Sequence, residues 1–513
     1  MDFALSEDQR AIQDLAASFA ATEMAPFSAQ WDEESHFPVD VMRKAAALGF
    51  AGIYVSEDVG GTGLGRLDAA LIFEALSKGD VSTAAFMSIH NMASWMIDRF
   101  GSEVLRQKYL PRLTSMELIA SYCLTEPGAG SDAASLATRA VLDGDHYVLN
   151  GTKAFISGAG VSDLYIVMAR TGAAGPKGIS TFVVERDTPG LSFGANERKM
   201  GWKSQPTAMV NFDNVRVPVE NRVGNEGEGF RFAMMGLDGG RLNIASCSLG
   251  GAALALETAK AHLETRNQFG HPLKDFQALQ FKLADMATDL EAARLMVYRG
   301  ADAMDQGDPR ATQYCAMAKR YGTDVGFDVA NQALQLHGGY GYLRDYPLER
   351  IVRRRQRGHA RDHRAGAVSS MSEAVLVHVE KGVGRLTLNR PEALHALTLD
   401  MCQIMTDALL RWRDDAAVEL VLLDHTGPRG FCAGGDIRML AESGAGDGEE
   451  ARAFFHLEYR LNHLLMTYPK PVVALMDGVV MGGGVGIALP ARYRVATERT
   501  TFAMPETGIG LFP

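Results

Sequence analysis

The sequence predicts a multidomain chain: a helical block, a β-rich block and a second helical block, then a separate unit of alternating strands and helices. Three observations carry this expectation. Apolar residues recur at three- and four-residue spacing over residues 5–114 and again over 229–338, as helices with one buried face require. Between them, from Tyr122 to Val217, short runs rich in β-branched and aromatic residues are bounded by Gly, Pro, Asn and Asp. From Met371 onward strand-like and helix-like runs alternate, the pattern of an α/β layer architecture.

Leu5, Ile12, Leu15 and Phe19 open the first helical block, and Ile72, Phe73 and Leu76 continue it. The predicted strands of the β block include residues 147–149, 164–168, 180–184 and 209–212. Helical periodicity then returns, for example over 279–287. After Val352 apolar residues nearly vanish, and residues 350–364 carry seven arginines. An Ala-Gly-Ala-Val-Ser-Ser linker follows at 365–370, and then strands are expected near 375–379, 385–388 and 420–423. The expected boundaries are 1–118, 119–223 and 224–353, an arginine-rich junction at 354–370, and a final unit at 371–513.

A chain of 513 residues has room for about three domains, so several complete cores are affordable in length. The net charge of -11 offers no general attraction for nucleic acid or anionic lipid. Cys123, Cys247, Cys315, Cys402 and Cys432 show no C-x-x-C pairing and no metal-ligand spacing, which is the usage of a reducing compartment. The N-terminus has no apolar core segment of a signal peptide, and no apolar run reaches the roughly 18 residues of a membrane span. The expectation is a cytoplasmic enzyme without a metal.

Two segments of the first region suggest ligand contact. Cys123-Leu-Thr-Glu-Pro-Gly-Ala-Gly-Ser-Asp132 partly matches a dinucleotide fingerprint through Gly128, Gly130 and Ala133, but no βαβ unit surrounds it. Its glycines would let backbone N–H groups approach a ligand, with Thr125 and Ser131 adding hydroxyls. In Gln335-Leu-His-Gly-Gly-Tyr-Gly-Tyr-Leu-Arg-Asp345 a helix ends in a double glycine that can do the same. Either segment alone is also an ordinary glycine turn.

Together and in this order, these segments resemble the signatures of the acyl-CoA dehydrogenase family. Gly60-Gly-Thr-Gly-Leu-Gly-Arg66, Gly151-Thr-Lys-Ala-Phe-Ile-Ser-Gly-Ala-Gly160 and Arg266-Asn-Gln-Phe-Gly270 extend the resemblance over residues 1–353. It implies the fold of that family: an α-helical N-terminal domain, a β-barrel-like middle domain and an α-helical C-terminal domain. It also implies FAD as cofactor, an acyl-CoA substrate, electron-transfer flavoprotein as acceptor and a homotetramer. Residues 236–250 carry a closer likeness, to members acting on isobutyryl-CoA in valine breakdown. By the same resemblance Tyr122, Leu124, Thr125, Gly130, Ser131, Phe155, Ile156 and Ser157 would line the flavin. Arg266, Phe269, Gln277, Gln335, Gly338 and Gly339 would hold its phosphates and adenine, partly from a neighbouring subunit. Ser131, Asp238, Gly239, Gly240 and Arg241 would meet the acyl-CoA, with the two glycines leaving room for the thioester chain.

The resemblance also implies a loss. Family members continue past the Arg353 position with Arg-Asp-x-Arg-Val-x-x-Ile-Leu-Glu-Gly-Thr-Asn-Glu, whose first Glu removes the α-proton. This sequence has Arg354 for that Asp and then Arg355-Gln-Arg-Gly-His-Ala-Arg-Asp-His-Arg-Ala-Gly366. Asp362 falls at the position of the Glu, with no matching neighbour. Other members carry the base on the preceding helix, where Gly240 stands here. The junction reads like a tail in a shifted frame that runs into a new start at Met371.

In the last unit, Arg429-Gly-Phe-Cys-Ala-Gly-Gly-Asp-Ile-Arg438 and Met481-Gly-Gly-Gly-Val-Gly-Ile-Ala-Leu489 are glycine turns after apolar strands. Two such turns can aim two N–H groups at one carbonyl oxygen. The pair resembles the crotonase (enoyl-CoA hydratase/isomerase) superfamily, a ββα spiral, with Gly435 and Gly483 as oxyanion donors. Residues 502–513 point within it to 3-hydroxyisobutyryl-CoA hydrolases, with Glu506 the catalytic carboxylate and Glu458 a substrate contact. A hydratase would carry a Glu three residues after Gly483, where Gly486 stands. The hydrolase pattern continues with an Asp, whereas the sequence stops at Pro513, so a partial and inactive unit with exposed apolar surface is expected. Three rival readings were weighed. A polyanion site in the arginine run lacks interleaved aromatics, and a metal site at His359 and His363 lacks a third ligand. A catalytically impaired flavin- and acyl-CoA-binding protein remains the main alternative.

Overall fold

The computed structural model describes residues 4–353, 374–427, 429–445 and 448–504. The chain divides into two compact units, residues 1–369 and 370–513.

The first unit begins with helices α1 (Glu7–Phe19), α2 (Ser28–Glu34), α3 (Val39–Ala46), α4 (Arg66–Gly79), α5 (Val81–Phe100) and α6 (Glu103–Thr114). Their starts obey capping chemistry. The Ser6 Oγ accepts from Gln9 N at 3.1 Å while the Gln9 side chain accepts from Ser6 N at 3.1 Å. Asp80 Oδ1 accepts from Thr83 N at 2.8 Å at the start of α5. The first N–H groups of α4 are satisfied from far away: Arg66 N donates to Asp305 at 2.8 Å and Leu67 N at 3.2 Å.

The β block forms one sheet from β1 (Ala120–Cys123), β2 (Arg139–Asp143), β3 (His146–Ser157), β4 (Leu164–Arg170), β5 (Ile179–Glu185), β6 (Leu191–Phe193), β7 (Thr207–Pro218) and β8 (Arg222–Val223). Its order is β6-β7-β3-β2-β4-β5-β8, and β1 adds in parallel to β4. One face closes over Tyr147, Tyr165, Phe182, Val210 and Val217.

Then come α7 (Gly229–Thr265), a small hairpin of β9 (Asn267–Gln268) and β10 (His271–Pro272), α8 (Gln277–Asp305) and α9 (Ala311–Leu336). The 37-residue α7 packs on α9, α4 and α5 and so joins the two helical blocks. Gly250 makes the α4 crossing possible, because a Cβ there would lie 2.0 Å from the Glu74 carbonyl oxygen.

The second unit contains β11 (Val375–Glu380), β12 (Val383–Leu388), α10 (Leu399–Arg413), β13 (Leu420–His425), β14 (Gly430–Cys432), α11 (Ile437–Ala445), α12 (Glu449–Met466), β15 (Val472–Met476), β16 (Val479–Met481), α13 (Gly483–Ala488), β17 (Tyr493–Ala496) and β18 (Thr501–Ala503). One sheet runs β11-β12-β13-β15-β17 and the other β14-β16-β18. All pairings but β11–β12 are parallel. Each successive pair, β13/β14, β15/β16 and β17/β18, places one strand in each sheet, which is the ββα spiral expected from the sequence. Its core gathers Leu386, Met401, Leu409, Leu423, Phe431, Phe454 and Leu461. The Arg-rich junction, Asp362, the histidines at 359 and 363, and Glu506 lie outside the described residues.

Candidate functional sites

In the first unit, β1 runs straight into the loop Leu124–Ser131, beside the end of β3. Ala154 N donates to Thr125 O at 2.8 Å, and Ser121 Oγ donates to Ser157 O at 2.6 Å. Tyr122, Leu124, Thr125, Phe155, Ile156 and Ser157 are thereby gathered at one place. A Cβ on Gly128 or Gly130 would have nothing within 4 Å. Among the described residues, the N–H groups of Thr125, Gly128, Gly130 and Ser131 donate to no backbone carbonyl. A glycine-rich turn with free N–H groups beside open space is what an electron-rich ligand needs.

Two neighbouring features fit a planar, N- and O-rich ring such as a flavin. The Tyr122 hydroxyl is buried without a hydrogen-bond partner. Burial pushes its pKa up, with Cys123 adding to the effect, so it is an O–H donor at all ordinary pH. Phe155 keeps its ring half-exposed on a left-handed backbone, φ +58°, a conformation a bulky residue seldom adopts away from functional sites.

The second predicted group assembles elsewhere on the first unit. The C-terminal ends of α7 and α9 come together, with His262 stacked on His337 at 4.1 Å and the Arg266 guanidinium 5.5 Å from the Tyr340 ring. Gln335, Gly338 and Gly339 are exposed here, and Gly338 takes φ +57°. Gln277 is exposed at the start of α8. Phe269, at the tip of the β9–β10 hairpin, is 90% exposed. No hydrogen bond or ring stack among the described residues joins this group to the Thr125–Ser131 loop.

The substrate-loop residues behave differently from the expectation. Both oxygens of Asp238 are bonded within the protein, one to Arg241 and the other to Thr312 at 2.7 Å. Gly239 does not leave room for a ligand. The space of its missing side chain is filled by Arg66, whose guanidinium would lie 2.4 Å from a Cβ and stacks on Tyr54 at 3.8 Å. Gly240 does face space, meeting only Met92 Sδ at 3.4 Å. Ser131 is exposed at the loop's end.

In the second unit the two glycine turns converge. A Cβ on Gly483 would lie 3.4 Å from Gly435 N and 2.5 Å from Glu458 Oε1. Neither N–H, among the described residues, donates to a backbone carbonyl, so two donors and a buried carboxylate meet at one point. Sequence reasoning missed Asn462, one helical turn beyond Glu458 on α12. Its Nδ2 would lie 2.8 Å from a Cβ on Gly486, so an amide takes the space where a hydratase would carry its carboxylate. The Asn462 Oδ1 is buried and unbonded. Its i, i+4 spacing from Glu458 was the one available signal.

Among the described residues no cluster of three His, Cys, Asp or Glu side chains could hold a metal, and no helix is long and apolar enough to cross a membrane.

Family profiles match the chain at four places. They are the acyl-CoA dehydrogenase N-terminal domain at 6–117, its middle domain at 121–215, its C-terminal domain at 227–358, and enoyl-CoA hydratase/isomerase at 383–513. The chain is 59% identical to the mitochondrial isobutyryl-CoA dehydrogenase of Dictyostelium discoideum over 350 residues, 68% of this chain and 84% of the relative. Among solved structures, butyryl-CoA dehydrogenase from Megasphaera elsdenii is 38% identical with a TM-score of 0.68, covering 70% of this chain and 95% of that one. The FAD complex of PigA is 33% identical with a TM-score of 0.68, over 70% and 94%. The chain therefore belongs to the acyl-CoA dehydrogenases, a family of oxidoreductases, and carries a crotonase-like domain behind the dehydrogenase region.

Proposed function

We propose that the first unit binds FAD and a short branched acyl-CoA, isobutyryl-CoA, for dehydrogenation between Cα and Cβ, and that it binds these ligands better than it turns them over. The carrying observation is the Thr125–Ser131 loop, whose unengaged N–H groups stand beside the buried Tyr122 hydroxyl and the half-exposed Phe155 ring. FAD, when bound, supplies the hydride-accepting chemistry. The loop and Tyr122 act as hydrogen-bond donors to it, and Phe155 offers an aromatic surface. The short branched acyl group is supported by the identity to isobutyryl-CoA dehydrogenase. The domain limits given above are proposed with it.

Impaired turnover follows from the sequence after Arg353. α-Proton removal needs a carboxylate within hydrogen-bond reach of Cα, and the family's Glu has no counterpart in residues 354–366 while Gly240 cannot replace it. Loss of a positioned base costs about 10²–10⁴-fold in rate. Assembly as a homotetramer is supported by apolar surface on the hairpin and its neighbours: Phe269 is 90% exposed, Tyr342 83% and Phe281 60%. Electron-transfer flavoprotein is the proposed acceptor.

For the second unit the proposal is a 3-hydroxyisobutyryl-CoA hydrolase-like site. Gly435 and Gly483 form the oxyanion hole, Glu458 meets the substrate and Glu506 is the catalytic carboxylate. Asn462 at the hydratase position favours hydrolysis over water addition.

The test is anaerobic titration of the FAD-loaded protein with isobutyryl-CoA. The expected outcome is a yellow protein whose spectrum is perturbed by the ligand but whose flavin bleaches about 10²–10⁴-fold more slowly than in an intact relative. A protein that stays colourless after refolding with FAD sinks the flavin assignment. Bleaching at the relative's rate sinks the missing base. Equal response to isobutyryl- and octanoyl-CoA sinks the chain-length assignment alone.

A further inference from the structure

The β block buries an ion pair that touches none of the open space just described. Lys153, on β3, has no exposed surface, and Glu126, in the glycine loop, is 6% exposed. Lys153 Nζ donates to Glu126 Oε1 at 2.7 Å and to the Leu124 carbonyl at 3.0 Å. Glu126 accepts in addition from Ala137 N at 2.6 Å and Thr138 N at 3.0 Å. Burial acts against the Glu126 charge, but the Lys153 ammonium and these N–H groups outweigh it and hold the carboxyl below its usual range.

Stability alone gives little reason for such a pair. Desolvating two charges costs about as much as their attraction returns, and apolar pairs of like volume often serve as well or better. What the pair does supply is geometry. Lys153 stands two residues before Phe155, whose backbone is left-handed, and Glu126 stands between Thr125 and Gly128. The Leu124 carbonyl is drawn to Lys153 and the Thr125 carbonyl to Ala154 N at 2.8 Å. The loop's carbonyls are thus tied to β3 while its N–H groups stay unengaged. One salt bridge ties together both chain segments that carry the candidate flavin contacts.

We propose that Glu126 and Lys153 are positioning residues for the flavin, fixing the spacing between the loop's N–H donors and the Phe155 ring without touching the cofactor. The inference rests on the FAD reading above and deepens it. A pair of this kind acts on the bound cofactor's affinity and spectrum beyond its effect on folding. A merely structural pair acts on folding alone.

The experiment compares the full chain with Glu126→Leu/Lys153→Met, which replaces the pair by apolar side chains, and with Glu126→Gln/Lys153→Met, which removes the charges but keeps an acceptor for Ala137 and Thr138 N–H. Apoprotein melting temperature, FAD affinity by quenching of flavin fluorescence, and the visible flavin band are read for each. The expected result is at least one variant that melts near the wild type yet holds FAD about tenfold or more weakly, the loss of roughly one charged hydrogen bond's worth of alignment, with its band moved toward that of free FAD. Wild-type affinity and an unshifted band in both variants overturn the proposal, as does a loss of affinity that merely follows a loss of melting temperature. A wild-type chain that binds no FAD overturns the flavin reading and this inference with it, and is told apart by that first measurement.

Discussion

The glycines of the two units look alike in sequence and do opposite work. At Gly128 and Gly130 a side chain would meet nothing within 4 Å, so these residues keep a surface open. At Gly484 a Cβ would lie 2.4 Å from the Cys432 carbonyl oxygen, and at Gly478 2.7 Å from that of Arg429, so these let backbone pack on backbone. The first unit spends its glycines on a ligand; the second spends them on bringing its two turns together so that Gly435 and Gly483 meet. A glycine-rich motif therefore announces a special backbone without saying whether the partner is a ligand or the protein itself.

The units also share a device with different depth. His90 bridges α5 and β1 as a neutral ring, accepting from Ala120 N at 3.1 Å and bonding Leu113 O at 2.9 Å. In the second unit His395 accepts from Arg390 N at 2.9 Å and bonds Thr426 O at 2.7 Å. Burial lowers the pKa of both, that of His90 to about 4.

The largest effect expected is from Gly484→Ala. The new methyl meets a backbone oxygen that cannot swing aside, and overpacking of this kind costs roughly 1–3 kcal/mol or more. Denaturant unfolding of the full chain, followed by Trp412 fluorescence for the second unit, should shift its midpoint accordingly. An unchanged midpoint breaks the contrast between the two kinds of glycine.

Next is acid. A folded-state pKa below the unfolded one means the unfolded chain takes up the proton first. The contribution of His90 is therefore full above about pH 6.5 and is lost as pH falls toward about 4, amounting to roughly 3 kcal/mol at the lower end. His90→Gln should flatten that part of the stability-versus-pH curve for the first unit. A curve of unchanged slope counts against the neutral bridge.

The smallest effect on folding, and the sharpest test of the contrast, is Gly130→Ala. It should leave the melting temperature of the first unit within the ±0.5 kcal/mol of ordinary surface substitutions. FAD binding should nonetheless weaken several-fold, because the methyl points into the space reserved for the ligand. Equal FAD affinity would mean that the space serves something else.

Much of this was legible in advance. The switch in texture near residue 120, the return of helical spacing near 229 and the new unit after 371 follow from periodicity alone, and the two pairs of glycine turns mark both candidate sites. What periodicity does not carry is which side chain fills a glycine's space. Arg66 lies far from Gly239 in sequence and reads as a surface residue at a helix start. Lys153 sits in a strand where a charge suggests solvent, yet it is wholly buried because Glu126 and the Leu124 carbonyl meet it. Asn462 reads as one polar position on an amphipathic helix. Each is a tertiary contact between elements whose pairing the sequence pattern leaves open.

The Asp305 cap on α4 has a consequence in time. The carboxylate that satisfies Arg66 N and Leu67 N is separated from Arg66 by 239 residues, and chains are synthesised at about 5–20 residues per second. The start of α4 thus emerges from the ribosome roughly 10–50 seconds before its cap exists. Through that interval the N-terminal helices must wait with frayed ends and an uncovered face. The long helix α7 that will cover them is the next large element to arrive, and chaperone binding during synthesis should be concentrated in that window.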